Sequence, residues 1–155
     1  GWRAVQAVLF RGVGLSEEFL KYLAGRIAAL NRPEFDEPVD AMIYLVVVAL
    51  GFAALENMAA ATNAGELAFE TTTLRFIGAT LLHTLSSGLL GYYWAFSLIK
   101  IKKQILVFGF ILATLLHTIF NYLIIKYEPA VVPTTFLIIF AIFILYDFEK
   151  LKKIK

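Results

Sequence analysis

Residues 105–125 read ILVFGFILATLLHTIFNYLII. The stretch contains no Asp, Glu, Lys or Arg, and it has the ~20 apolar residues with which an α-helix crosses a hydrocarbon core of ~30 Å. His117 and Asn121 lie one helical turn apart in it, on the same face. The stretch therefore predicts a membrane-spanning helix that carries polar side chains below the membrane surface.

Three further segments share this apolar character. They are residues 39–61, 74–99 and 131–148. Ahead of them, residues 16–30 form a weaker helix with apolar positions at helical spacing. It is either half a span that residues 5–10 continue, which Gly12 and Gly14 are expected to break, or a helix at the membrane interface. The sequence thus predicts an all-α, polytopic transmembrane helix bundle, with four clear spans plus an N-terminal motif-bearing helix.

The composition excludes several classes of protein. Of the 155 residues, 60% are hydrophobic and 17% charged, against ~45–50% and ~25% in soluble domains. A soluble domain of this size is mostly surface and could not keep so many apolar residues from water. This excludes a soluble enzyme, a nucleic-acid-binding domain and a disordered chain. The absence of cysteine excludes a thiol nucleophile and Cys-based zinc sites. We expect residues 1–155 to form a single transmembrane domain that lacks upstream N-terminal spans.

The lysines indicate the orientation in the membrane. We define side one as the membrane face that holds residues 31–38, and side two as the opposite face. The alternation of helices places Lys100, Lys102, Lys103 and the lysines of residues 150–155 on side one. The positive-inside rule then makes side one cytoplasmic. We expect a multi-pass integral protein of a prokaryotic plasma membrane.

Several ionisable groups fall inside the apolar segments, where they are costly and usually functional. At 1.5 Å per residue, Glu56 lies ~10 Å from the side-two end of its helix, His83 ~14 Å and His117 ~15 Å. This agreement in depth favours one shared site in the outer half of the bilayer. The candidate catalytic residues are Glu17, Glu18, Glu56, His83, His117 and Asn121.

Taken singly, these groups also have structural interpretations. Ser16 is a good N-cap, and acidic residues directly after it would stabilise a first helical turn. Glu17 also precedes Lys21 by one turn, which is a favourable helical pair. A lone histidine in a membrane helix often forms an interhelical hydrogen bond. Gly88 and Gly91 predict close approach of another helix.

Five motifs follow one another along the chain. They are E-E-x-x-K at residues 17–21, F-D-E-P-x-D at 35–40, F-x-x-x-E-N at 52–57, His83 with small residues up to Gly91, and H-x-x-x-N at 117–121. Together they resemble the PrsW family of intramembrane proteases, which is distantly similar to the type II CAAX prenyl endopeptidases. Those endopeptidases carry a histidine at the position of Glu56, which favours the PrsW family. The resemblance implies cleavage of a membrane-anchored protein, an anti-sigma factor in the best-known bacterial case.

Two mechanisms of peptide hydrolysis suit these residues. Without a metal, Glu17 or Glu18 acts with Glu56 to deprotonate a water, while His117 and Asn121 donate to the oxyanion.

With zinc, the metal ligands are Glu56, His83 and His117, a water takes the fourth position, and Glu17 or Glu18 is the general base. The cofactor prediction is therefore either none or zinc.

The function predicted from the sequence is an intramembrane endopeptidase that cuts near the outer membrane face. Its expected partners are a membrane-anchored protein substrate, such as an anti-sigma factor, and the lipid bilayer, but no nucleic acid. The alternatives are a non-catalytic membrane scaffold with a buried polar network, a CAAX-type prenyl-protein endopeptidase whose cavity opens to the cytoplasm, and a proton-coupled transporter.

Overall fold

Five α-helices make up the fold in the part of the chain that this computed structural model describes, namely residues 2–30, 32–67, 69, 73, 76–127 and 131–154. In the first helix, side chains are described from residue 14 onward. The helices are α1 (Trp2–Ala29), α2 (Asp40–Ala64), α3 (Leu81–Lys100), α4 (Lys103–Lys126) and α5 (Val131–Leu151). A 3-10 turn, Gly65–Leu67, extends α2, and a π-helical segment, Phe76–Thr80, leads into α3. The prediction of an all-helical membrane protein is confirmed.

Three helices in the described residues are long and apolar enough to cross a membrane: α2 with its 3-10 extension, α4 and α5. The predicted count of four clear spans plus an N-terminal helix is therefore not confirmed. The predicted span that is not among these three helices is α3, which carries His83, Ser86 and Ser87 in its first half. These polar side chains are buried against other helices rather than exposed to lipid. A helix in the centre of a bundle can therefore be less apolar than the helices around it.

Helix α1 runs without interruption through Gly12 and Gly14, so the predicted break is wrong. A glycine costs a helix only ~1 kcal/mol relative to alanine, and Gly14 is buried where α1 approaches α4. A Cβ placed on it would lie 3.6 Å from Cγ of His117. Ser16 is consequently inside a helix and is not an N-cap, so capping does not explain Glu17 and Glu18.

The backbones of α2 and α3 meet at Gly91. A Cβ at this position would lie 2.6 Å from Cα of Met42 and 2.8 Å from the carbonyl oxygen of Ala41. On the same helix, a Cβ at Gly88 would lie 3.1 Å from Cγ2 of Ile144 in α5. The packing role predicted for the two glycines is confirmed.

The loop between α1 and α2 is held by the F-D-E-P-x-D motif. Oδ2 of Asp40 accepts the backbone N–H groups of Asp36 at 3.1 Å and Glu37 at 2.8 Å. The ring of Phe35 stacks on Trp94 of α3 with centroids 5.3 Å apart. The motif therefore sets the positions of α1 and α2 relative to α3.

We expect Gly91→Ala to lower the free energy of unfolding by about 1–3 kcal/mol, because the new methyl group overlaps the α2 backbone and forces a shift. Thermal unfolding of the detergent-solubilised protein, followed by circular dichroism, measures the effect. Gly51→Ala is the matched control, since a Cβ on Gly51 meets nothing within 4 Å. Equal effects of the two substitutions would contradict this account of the α2–α3 contact.

Candidate active site

A buried ion pair lies at the centre of the bundle. Glu18 and Lys21, one turn apart on α1, have exposures of 0% and 1%, and Nζ of Lys21 donates to Oε1 of Glu18 at 2.6 Å. Oε1 of Glu18 also accepts the hydroxyl of Ser86 at 2.7 Å, and Oε2 accepts that of Ser87 at 3.3 Å. Nδ1 of His117 lies 3.2 Å from Oε1. Glu18 thus joins α1 to both α3 and α4.

The imidazole of His83 lies between a lysine and a carboxylate. Its Nδ1 is 3.3 Å from Nζ of Lys21, and its Nε2 is 2.9 Å from Oε2 of Glu56. An ammonium group can only donate hydrogen bonds. Nδ1 is therefore the acceptor, and the proton of the neutral ring is on Nε2, which donates it to Glu56.

The imidazole of His117 faces two carboxylates. Its Nδ1 points at Glu18, so the neutral ring carries its proton on Nδ1 and has a lone pair on Nε2. Nε2 lies 3.4 Å from Oε2 of Glu17. That oxygen is buried and accepts no hydrogen bond from any residue that the structure describes. Two electron-rich atoms therefore face each other across a gap where a cation would stabilise both.

The donor atoms of Glu17, His83 and His117 fit a metal ion. One ligand atom from each lies within 4.8 Å of the others, and ligands of a tetrahedral zinc, bound at ~2.0–2.2 Å, lie ~3.3–3.6 Å apart. Each histidine also has one ring nitrogen on a further carboxylate, Glu56 for His83 and Glu18 for His117, a contact that typically orients a metal-binding imidazole. The sequence prediction had Glu56 as a ligand, whereas Glu56 here contacts His83 as a hydrogen-bond partner.

The structure brings together five of the six candidate residues, and Asn121 is the exception. This half-buried residue follows His117 by one turn on α4, and no hydrogen bond within the described part of the chain joins it to the cluster. The contacts of Lys21, Ser86 and Ser87 in the cluster were not predictable from the sequence motifs. The only signals for them were a lysine one turn after Glu18 and a serine one turn after His83.

We expect Glu18→Ala to destabilise the metal-free protein by about 3–5 kcal/mol, because the ammonium of Lys21 stays buried without its anion. Glu17→Ala should have a much smaller effect, since it removes an oxygen that accepts no hydrogen bond from the described residues. Thermal unfolding in detergent with a chelator present measures both. If the adjacent glutamates were equally sensitive, Glu18 would not have the structural role described above.

Comparisons with known proteins give one consistent result. A family model described as PrsW family intramembrane metalloprotease matches residues 2–146. "Protease PrsW" of Geobacillus kaustophilus is 32% identical over 124 residues, covering 79% of this chain and 54% of the relative. The proteins of the same name from Oceanobacillus iheyensis and Clostridioides difficile are each 31% identical, over 91% and 99% of this chain and 66% of each relative.

The chain thus spans between about half and two thirds of the length of these relatives. No solved structure matches it significantly.

Proposed function

This chain belongs to the PrsW family of intramembrane metalloproteases, and from that premise we propose that it is an endopeptidase that hydrolyses a peptide bond of a membrane-anchored protein within the membrane. It is a multi-pass integral membrane protein with bacterial relatives. The observation that carries the proposal is the buried Oε2 of Glu17, which accepts no hydrogen bond from the described residues and lies 3.4 Å from Nε2 of His117.

Glu17, His83 and His117 are the residues that would hold a divalent metal, and their carboxylate and imidazole donors suit zinc. When bound, the metal would supply Lewis-acid chemistry, which makes a water more acidic and polarises a carbonyl. Glu18 holds the proton of His117 on Nδ1, which would leave the lone pair of Nε2 available to a metal. Glu56 accepts a hydrogen bond from Nε2 of His83, which would leave the lone pair of that ring on Nδ1.

Glu56 is the residue we assign to proton transfer. Its side chain is 32% exposed, against 14% for Glu17 and 0% for Glu18, so it is the carboxylate of the cluster that water and substrate reach most easily. Peptide hydrolysis needs a group that accepts a proton from water and later protonates the leaving amine. Asn121, one turn beyond His117, is a further candidate, as a donor to the oxyanion.

The depth of the cluster supports cleavage near side two, the outer face. Glu56 lies roughly two turns, about 12 Å, before the end of α2, and His117 about 14 Å before the end of α4. His83 lies in the first turn of α3. A substrate segment must unwind to expose its peptide bond, and irregular backbone at this depth is tolerated only inside protein or a water-filled cavity. A single-span protein cut close to its outer end, such as an anti-sigma factor, meets this requirement.

We expect Glu17→Gln, Glu56→Gln and His117→Ala each to lower the cleavage rate by at least ~10²-fold, the contribution typical of a single catalytic group. The assay reconstitutes the protein in vesicles with single-span membrane proteins, anti-sigma factors among them, tagged at both ends. Glu149→Gln is the control, because Glu149 is an exposed carboxylate paired with Lys152 on the opposite side. Cleavage by any of the three variants at the control rate would refute the assignment of that residue.

We also expect removal of the metal with a strong chelator to abolish cleavage, and added zinc to restore it. Full activity in the chelated protein would instead favour the carboxylate mechanism without a metal. A farnesylated CAAX peptide in the same assay tests the prenyl-endopeptidase alternative. Failure to cut any member of the panel would favour a non-catalytic scaffold.

A further inference from the structure

Lys21 is the least expected charged residue in the bundle. Its side chain is almost fully buried, with 1% exposure, which is rare for lysine unless it is paired. Its Nζ lies 2.6 Å from Oε1 of Glu18, 3.3 Å from Nδ1 of His83, and 5.6 Å from the ring centre of Phe52. The ammonium group therefore contacts one carboxylate and one histidine of the candidate site directly.

These contacts occupy the one lone pair that His83 could offer to a metal. With its proton on Nε2 and donated to Glu56 at 2.9 Å, the neutral ring has its free lone pair on Nδ1. That lone pair accepts the hydrogen bond from Lys21. Nδ1 of His83 can therefore coordinate a metal ion only after the ammonium group of Lys21 has moved away from this nitrogen.

We propose that Lys21 is the internal counter-ion of the metal-free site and competes with the metal for His83. This inference rests on the metal site proposed above and adds a residue that controls its loading. Without metal, Lys21 compensates the acidic cluster and holds the tautomer of His83. When metal binds, the flexible side chain leaves Nδ1 while Glu18 remains available to it as a partner. Lys21 is thus a positioning residue, which acts on the reaction through His83.

The competing interpretation is that Lys21 is only a structural ion-pair partner of Glu18. In both cases, removing the charge destabilises the metal-free protein, since Glu18 is buried and loses its cation. The two interpretations predict different effects of this substitution on the affinity for the metal. Competition predicts that affinity for the metal rises when Lys21 is replaced by an uncharged residue, because its ammonium no longer occupies Nδ1 of His83. A structural role predicts unchanged or weaker binding.

The test is a zinc titration of the purified protein in lipid nanodiscs against a chromophoric chelator. We expect Lys21→Met, which keeps the length of the side chain without its charge, to lower the Kd for zinc at least about tenfold, while Lys21→Arg keeps it near the wild-type value. Arg26→Met removes an exposed cation from the same helix and is the control for net charge. Its Kd should match the wild type.

The outcomes separate the two proposals. If His117→Ala binds zinc with the same affinity as the wild type, the proposed metal site is wrong, and so is this inference. If zinc binding depends on His117 but Lys21→Met leaves the affinity unchanged or lowers it, only the proposed role of Lys21 is wrong.

A second measurement does not depend on whether the variant folds. The chain has only two histidines, so ¹⁵N NMR of the metal-free wild type reports each ring. We expect the proton of His83 on Nε2, and its Nδ1 resonance to shift when zinc is added. A proton on Nδ1 would show that Lys21 does not donate there and would refute the proposal.

Discussion

The ion pair between Glu18 and Lys21 is the interaction on which the arrangement of the helices depends. A charge buried in a membrane protein must find partners, and those of Glu18 come from three helices: Lys21 on α1, Ser86 and Ser87 on α3, and His117 on α4. Apolar contacts between helices discriminate weakly in lipid, because lipid tails are as apolar as leucine. The polar partners therefore determine which faces of α1, α3 and α4 meet.

The same requirement explains the composition of α3. This helix supplies His83 and both serines to the cluster, and its glycines bring it against α2 and α5. Such a helix cannot also be uniformly apolar, and it does not need to be, because protein surrounds it. The central position of α3 thus explains its lower hydropathy. The helix places its polar side chains at the centre of the bundle.

The two adjacent glutamates differ in their hydrogen bonding. Glu18 is fully buried and hydrogen-bonded on both oxygens, which makes it a structural anion. Glu17, next to it, has a buried oxygen that accepts no hydrogen bond from the described residues. An unsatisfied buried acceptor is costly, so its retention in an otherwise well-paired cluster is consistent with a ligand there. The family to which the chain belongs is described as a metalloprotease family, which agrees with a metal ion as that ligand.

The sequence by itself determined the class of the protein and its helical character, and it predicted a shared depth for the polar groups. The class of the protein follows from its composition, and the expected depth follows from counting residues at a fixed rise per residue. Neither inference requires knowledge of the contacts between helices. Only the tertiary structure decided that α1 continues through Gly14, that Lys21 pairs with Glu18 rather than Glu17, and that Glu56 contacts His83 as a hydrogen-bond partner. These facts depend on the rotation of each helix about its axis and on its distance from its neighbours. Both quantities are set by contacts between residues that are far apart in the chain, such as Gly91 and Met42. A local sequence pattern therefore does not predict them.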